Sequence, residues 1–392
     1  MRHSKILLLI AVVWCGANSG FAQTWTLTSA PNMAWRSVAS SANGTKLIAV
    51  VGGTSAGPIY TSTNSGATWV SNSAPLRNWS CVASSADGNT LAAAVGGYDG
   101  TAGSIYISTN AGMTWTASTS PARVWASIAV SADGTKLVAA VKYSSPASIY
   151  RSWDSGATWT SNNLAGALYP YGVASSADGS RLAVAAALGA VYTSADAGVA
   201  WTSNNIGSLV SDQACITSST DGSKLSVGPR GNGGPIWTST NSGTTWITNS
   251  VRQVWGGIAS SADGTKLIAV SYPAIYTSVN LGVIWTSNNA PRLEWTSVAS
   301  SADGNILIAA AQNGGIWTLQ TAPAPSMIIA PTNGSLKLSW LVPSTNFVMQ
   351  QSPDLQNWAD MTNQPVLNLT NLQNEVILSP PGSNVFYRLK TS

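Results

Sequence analysis

Charge is what this 392-residue chain has least of: 18 Lys and Arg, 14 Asp and Glu and one His, charged residues making up 8%, against about 25% in an average soluble domain. That scarcity excludes a charge-laced coiled coil and a nucleic-acid binder with a basic stripe. A hydrophobic share of 44% excludes a disordered chain. Three cysteines are too few for a disulfide scaffold. One histidine, His3, leaves no His-based nucleophile dyad and no zinc site of the usual ligands. No G-x-x-x-x-G-K-[ST] phosphate loop occurs, and no run of 18 apolar residues long enough to span a bilayer. No metal and no cofactor are expected.

What is present begins with an export signal. Arg2 and Lys5 precede an uncharged run, Ile6 to Cys15, and Gly20 and Ala22 sit at the spacing of a cleavage site. Residues 1–22 read as a signal peptide. Its removal takes away Arg2, His3, Lys5 and Cys15 and lowers the net charge from +4 by those two basic residues. The small surplus left is no sign of a polyanionic partner. A secreted, periplasmic or cell-surface location is expected, without nucleic acid, without a transmembrane segment in the mature chain, and as a monomer.

Residues 23–320 are dominated by an internal repeat of roughly 40–46 residues. Its A-D-G-like turn recurs seven times, the Asp or Asn falling at Asn43, Asp87, Asp133, Asp178, Asp221, Asp263 and Asp303. Each copy holds four short strand patterns, in the first copy Trp35–Ser41, Lys46–Val51, Ile59–Thr63 and a fourth starting at Trp69. The D-G or N-G pair predicts a tight hairpin with both turn residues at positive φ. Seven four-stranded antiparallel units predict an all-β fold, a seven-bladed propeller.

A second turn joins the third and fourth strands. It reads STNSGATW (Ser62–Trp69), STNAGMTW (Ser108–Trp115), SWDSGATW (Ser152–Trp159), SADAGVAW (Ser194–Trp201), STNSGTTW (Ser239–Trp246) and SVNLGVIW (Ser278–Trp285). This resembles the Asp box, S-x-D-x-G-x-x-W, of sialidases, sortilin-type receptors and photosystem II assembly-factor propellers. The assembly-factor propellers are the nearer resemblance, over about residues 24–320, and imply seven blades and a protein-binding role. The box itself reads as structural: Asp or Asn accepts turn amides, Gly takes a positive φ, and Trp packs beneath. The seventh copy stops at Trp317 and Thr318 without a box, and Thr24–Leu27 matches the missing fourth strand. The ring is therefore expected to close through its N-terminus, which removes free sheet edges.

Residues 321–326 (TAPAPS) read as a Pro/Ala linker and 327–392 as a small β-sandwich-like module, with strand patterns at Ser335–Val342, Phe347–Gln351, Glu375–Leu378 and Val385–Leu389. Its F-Y-R-L ending resembles the terminal modules of large secreted bacterial proteins, which implies a spacer, an attachment domain or a sorting signal.

Candidate ligand groups lie opposite the two turns. Between blades the chain repeats a Trp–Arg pairing: Trp35 with Arg36, Trp79 with Arg77, Trp125 with Arg123, Trp255 with Arg252 and Trp295 with Arg292. One reading is scaffold, with Trp packed between blades and the Arg stem laid over it. The other is a ring of guanidinium forks and indole faces for acidic or sugar groups. Blades four and five break the pattern with Tyr169, Tyr171, Asp212 and Gln213, and variable loops add Tyr98, Asp99, Lys142, Tyr143, Arg230 and Tyr272. Cys81 and Cys215 occupy equivalent repeat positions and read as buried thiols. Glycoside hydrolysis needs two placed carboxyl groups, and turns, boxes and the terminal module absorb all acids but Asp99, Asp212 and Glu294. The expectation is a non-catalytic propeller binding a protein or glycan on this face. A glycosidase or sialidase-like hydrolase and a structural surface or matrix protein are the alternatives.

Overall fold

The computed structural model describes residues 24–391 apart from 54, 98–99, 145, 165, 167–168, 207–212, 321–326, 333–334, 342–346, 354–356, 363–364 and 380–384. The expected leader and linker lie outside the described residues, as do Tyr98, Asp99 and Asp212. No helix among the described residues is long and apolar enough to cross a membrane.

The chain forms seven four-stranded antiparallel sheets arranged as the blades of a propeller. Blade one runs from its inner strand Trp35–Ser40 through Leu47–Val51 and Ile59–Ser62 to a short outer strand, Val70–Ser71. The other inner strands are Trp79–Ser84, Trp125–Val130, Pro170–Ser175, Ala214–Ser218, Trp255–Ser260 and Trp295–Ser300, in blades two to seven. Each inner strand packs against the next, and the last against the first. Blade seven takes its outer strand from the other end of the chain, Thr26 pairing with Thr318 and Leu27 with Trp317.

Second strands show no apolar–polar alternation. Leu47–Val51 is buried at every position, as is Leu91–Gly96, because both faces of a blade are covered by neighbouring blades. Seven inter-blade cores result. The one between blades two and three, for example, joins Ala92, Ala94 and Ile105 to Trp125, Ile128 and Leu137.

The A-D-G turns differ from the expected two-residue hairpin. Only glycine takes a positive φ (Gly44 at 72°, Gly88 at 70°), and the loop is four residues long, with the Ser41 amide bonded to the Lys46 carbonyl. The reason is the acidic or amide side chain: Asn43 Oδ1 accepts the Ser41 hydroxyl and the Thr45 amide, which keeps residue 43 on the right-handed side. Gly88 is further required by a neighbour, since a Cβ there would lie 2.7 Å from the Lys46 Cβ of the previous blade.

The primed turn is found in the boxes instead. Ser65 (φ 55°) and Gly66 (φ 88°) are both left-handed, and the Ala67 amide closes the turn on the Asn64 carbonyl. A non-glycine residue in this region costs about 1–2 kcal/mol, yet Ser65, Ala111, Ser155, Ala197, Ser242 and Leu281 all adopt it. One contact recurs in all six: the strained amide donates to a carbonyl in the A-D-G turn of its own blade, as Ser65 does to Thr45 at 2.9 Å and Leu281 to Thr265 at 3.0 Å. The two turns of each blade are thus tied together at one end of the molecule.

That end also carries a closed circle of main-chain bonds. The Ala42 amide donates to Ala86, Ala86 to Ala132, Ala132 to Ala177, Ala177 to Thr220, Thr220 to Ala262, Ala262 to Ala302, and Ala302 back to Ala42, at 2.6–2.9 Å.

Beyond the propeller, the C-terminal residues form a four-stranded sheet (Ile328–Thr332, Ser335–Leu341, Gln373–Leu378, Val366–Asn368) and a three-stranded one (Ala359–Asp360, Phe347–Ser352, Phe386–Thr391). Leu338, Trp340 and Val376 from the first and Met349 from the second share a core.

Candidate functional site

The loop end, opposite the turns, is organised by a repeated irregularity. In every blade except the fifth, the inner strand slips register by one residue just after its start. The extra residues are Arg36, Ser80, Ala126, Tyr171, Gly256 and Thr296. A bulge re-aims the residue it frees, and these six hold the same place near the start of their inner strands, at the loop end. In blade five, which has no bulge, Arg230 follows the second strand, and its Nη2 donates to the main-chain carbonyls of Gly256 and Thr296 in blades six and seven. Arg36, at the bulge of blade one, and Arg230 both lie near Cys81 of blade two. Both charges reach the thiol of Cys81 and pull its pKa down, while burial pushes it up and prevails, to about 11. Burial likewise raises Cys215. Both thiols are free and protonated at neutral pH.

The Trp residues named from sequence stand apart from this mouth. Trp35, Trp79, Trp125, Trp255 and Trp295 are 0–3% exposed. Four of them donate to a nearby carbonyl, Trp79 to Gly57, Trp125 to Gly103, Trp255 to Gly234 and Trp35 to Pro31. Each of these four meets a Tyr of its own blade edge-on, Trp79 and Tyr106 at 5.4 Å and Trp35 and Tyr60 at 5.5 Å. Their faces are closed to a ligand. Blades four and five lack the Trp, and Leu164 and Ile206 fill the corresponding cores.

Nor do the five arginines make one ring. Arg77 and Arg123 sit in isolated bridges with Gly57 and Gly103, two residues before their Trp. Arg252 and Arg292 lie one residue earlier still, Gln253 taking the bridge to Gly234. These four are exposed, whereas Arg36, one residue after its Trp and at the bulge of its strand, is partly buried.

Around blades three, four and six the loop end presents aromatic groups. Tyr143 (52% exposed), Tyr169 (38%) and Tyr272 (70%) face outward, and Lys142 lies over the Tyr143 ring at 4.6 Å. Tyr169 is held at φ 47°, its amide on Ser144 and its carbonyl on Ala187. Glu294 is exposed; the other two acids named for this end, Asp99 and Asp212, fall outside the described residues. No cluster of three metal-ligating side chains occurs among the described residues. The bulge positions and the reach of Arg230 were missed in the sequence, where Arg230 reads only as one member of a variable loop.

No family model matches the sequence, and no curated protein matches it. Solved structures do. A structure described as YCF48 bound to D1 peptide superposes with a TM-score of 0.55 at 15% identity, over 76% of this chain and 97% of that one. YCF48 from Cyanidioschyzon merolae gives 0.54 at 14% identity, over 76% and 98%. The propeller fold is shared with YCF48. At this identity the likeness speaks for architecture, and the chain carries residues beyond the span of either structure.

Proposed function

We propose that this is an exported, non-catalytic propeller that binds a protein, taking an extended acidic segment across its loop end. The observation that carries the reading is the reach of Arg230 across the loop end to the main-chain carbonyls of Gly256 and Thr296 in blades six and seven, with Arg36 and Tyr171 at the bulges of blades one and four. Arg forks grip carboxylates, and Tyr and Arg are the side chains that dominate protein interfaces. Arg77, Arg123, Arg252 and Arg292 on the rim add a positive field, which raises association rates more than affinity. Of the described carboxylates, Glu294 alone stands among them. A YCF48 propeller has been seen with a peptide bound, which supports a protein partner and says nothing of its identity. Export rests on the leader read over residues 1–22.

The test is an array of acidic, neutral and basic peptides beside a glycan array, probed with the exported protein. Acidic peptides should be retained. Arg77→Ala with Arg123→Ala should slow association and flatten its salt dependence. Arg230→Gln should weaken binding about tenfold, equivalent to about 1.4 kcal/mol, with the folded state checked by its thermal transition. Retention of glycans alone, or of all peptides alike, would overturn the reading.

A further inference from the structure

The turn end of the channel is closed by the chain itself. Ala42, Ala86, Ala132, Ala262 and Ala302 form one buried cluster, and Ala177, Leu367, Leu369 and Leu372 pack against it. The three leucines belong to the hairpin that the C-terminal module makes from its strands Val366–Asn368 and Gln373–Leu378, Leu367 in the first strand and Leu369 and Leu372 in the turn.

Both partners are shaped for this contact. On the propeller side, the circle of inter-blade bonds takes up one amide and one carbonyl from each of its seven residues. The Thr220 hydroxyl donates to the Ala262 carbonyl. What remains is a set of six alanine side chains, an apolar seat whose repetition is broken only by Thr220. Buried polar groups need partners, so a seat with none to spare favours an apolar occupant. On the module side, the hairpin satisfies its own amides: Asn368 Oδ1 accepts Thr370 and Asn371 Oδ1 accepts Gln373. The Asn371 amide and Lys337 both hold Glu375. Leu372 sits at φ 53°, where Gly or Asn is the usual choice. A leucine there is accounted for by where its side chain goes, onto the alanine seat.

We propose that the alanine circle is a docking surface for a leucine-tipped β-hairpin, and that the chain's own C-terminal module is its occupant. The module is then a stopper in the turn end of the channel, not a tail trailing from the propeller. Two consequences follow. The channel opens to ligands from the loop end alone, and the hairpin is covered while the stopper is seated. A module that also attaches the protein elsewhere must do so through another surface, or unseat first and uncover the alanine circle.

The inference is independent of what the loop end binds. The test uses the full chain with a protease site placed within residues 321–326. After cutting, the propeller and module should co-elute in gel filtration at micromolar concentration. Leu369→Asp with Leu372→Asp should separate them, with the near-ultraviolet circular dichroism and thermal transition of the propeller retained. Ala86→Arg, which leaves the module untouched, should separate them as well. Separation of the unsubstituted pieces would overturn the proposal, and so would co-elution of the Ala86→Arg pieces to the same extent as the unsubstituted ones.

Discussion

The two ends of this propeller are built from the same repeats and follow opposite rules. At the turn end all seven copies hold their own turn with Asp or Asn and pass a main-chain bond to the next blade, and in six of them the strained box residue bonds the A-D-G turn of its own blade. Lysines reach across blades to do more of it, Lys136 to the Asp178 carbonyl and Lys224 to that of Asp263. At the loop end the copies diverge, one blade loses its bulge, and aromatic and basic groups face outward. The lesson is that repetition marks where the fold is held, and departure from repetition marks where chemistry is free to vary.

The largest effect should come from breaking closure. Trp25 is 4% exposed in the core between blades six and seven, and its strand supplies the outer edge of blade seven. Trp25→Ala should cost about 3–5 kcal/mol, and deletion of residues 24–28 more. Urea unfolding with the leader already removed measures both. A loss within about 0.5 kcal/mol, the usual size for a surface change, would show that the N-terminal strand does not hold the ring.

Next is the contrast between neighbours at the loop end. Trp125→Ala should cost about 3–5 kcal/mol, and Arg123→Ala, two residues away and exposed, about 0.5 kcal/mol or less. The indoles themselves sharpen this. Trp125 donates to Gly103 at 2.8 Å, whereas Trp295, equally buried, has no partner for its Nε1 among the described residues. In blade six only Tyr272, Pro273 and Ala274 join the second strand to the third. Replacement of Trp125 by Phe removes one of the two donors to the Gly103 carbonyl, the Arg123 amide keeping the other, and should cost about 0.5–1.5 kcal/mol beyond the lost contacts. Trp295→Phe removes a donor that was already unmatched and should cost clearly less. Equal losses in thermal unfolding would mean that these hydrogen bonds contribute nothing.

Much of this architecture was legible in the sequence because it is repeated: seven A-D-G turns and six boxes mark seven blades, and the fourth strand missing from the seventh copy after Trp317 points to Thr24–Leu27. The turn types were not legible. A D-G pair suggests a primed turn by composition, but Asn43 Oδ1 in blade one and its equivalents hold the acidic position right-handed, while an ordinary Ser, Ala or Leu takes the left-handed place in the box. The arginine ring dissolved for a related reason. Arg77, Arg252 and Arg36 lie at −2, −3 and +1 from their Trp, and in a strand one residue changes the face. Arg230 and the leucine hairpin were invisible because their contacts are long-range, to carbonyls one and two blades away and to a seat assembled from six blades.

The smallest effect separates the turn acids by pH. Thr158, Ser152 and local amides hold the Asp154 carboxylate down to about 2, and the Ala200 amide and Ser194 lower Asp196. For Asp87, Asp133, Asp178, Asp221 and Asp263, burial pushes the carboxyl upward but is outweighed by its serine, turn amide and lysine. A carboxyl lowered on folding stabilises above its unfolded value, and that contribution fades as pH falls through the folded one. Asp303 runs the other way: burial wins, its pKa is raised, and as pH climbs from below about 4 through its folded value the group's contribution turns unfavourable. Stability should therefore decline from about pH 4 downward. Asp154→Asn, the residue four other boxes already carry, should make that decline shallower and leave stability near neutral pH almost unchanged. Asp303→Asn should act in the opposite sense, gaining stability near neutral pH while its serine and amide bonds are kept. Urea midpoints taken from pH 7 to pH 2 measure both, and an identical pH slope in the two variants would show that the turn acids titrate in the folded chain as they do in the unfolded one.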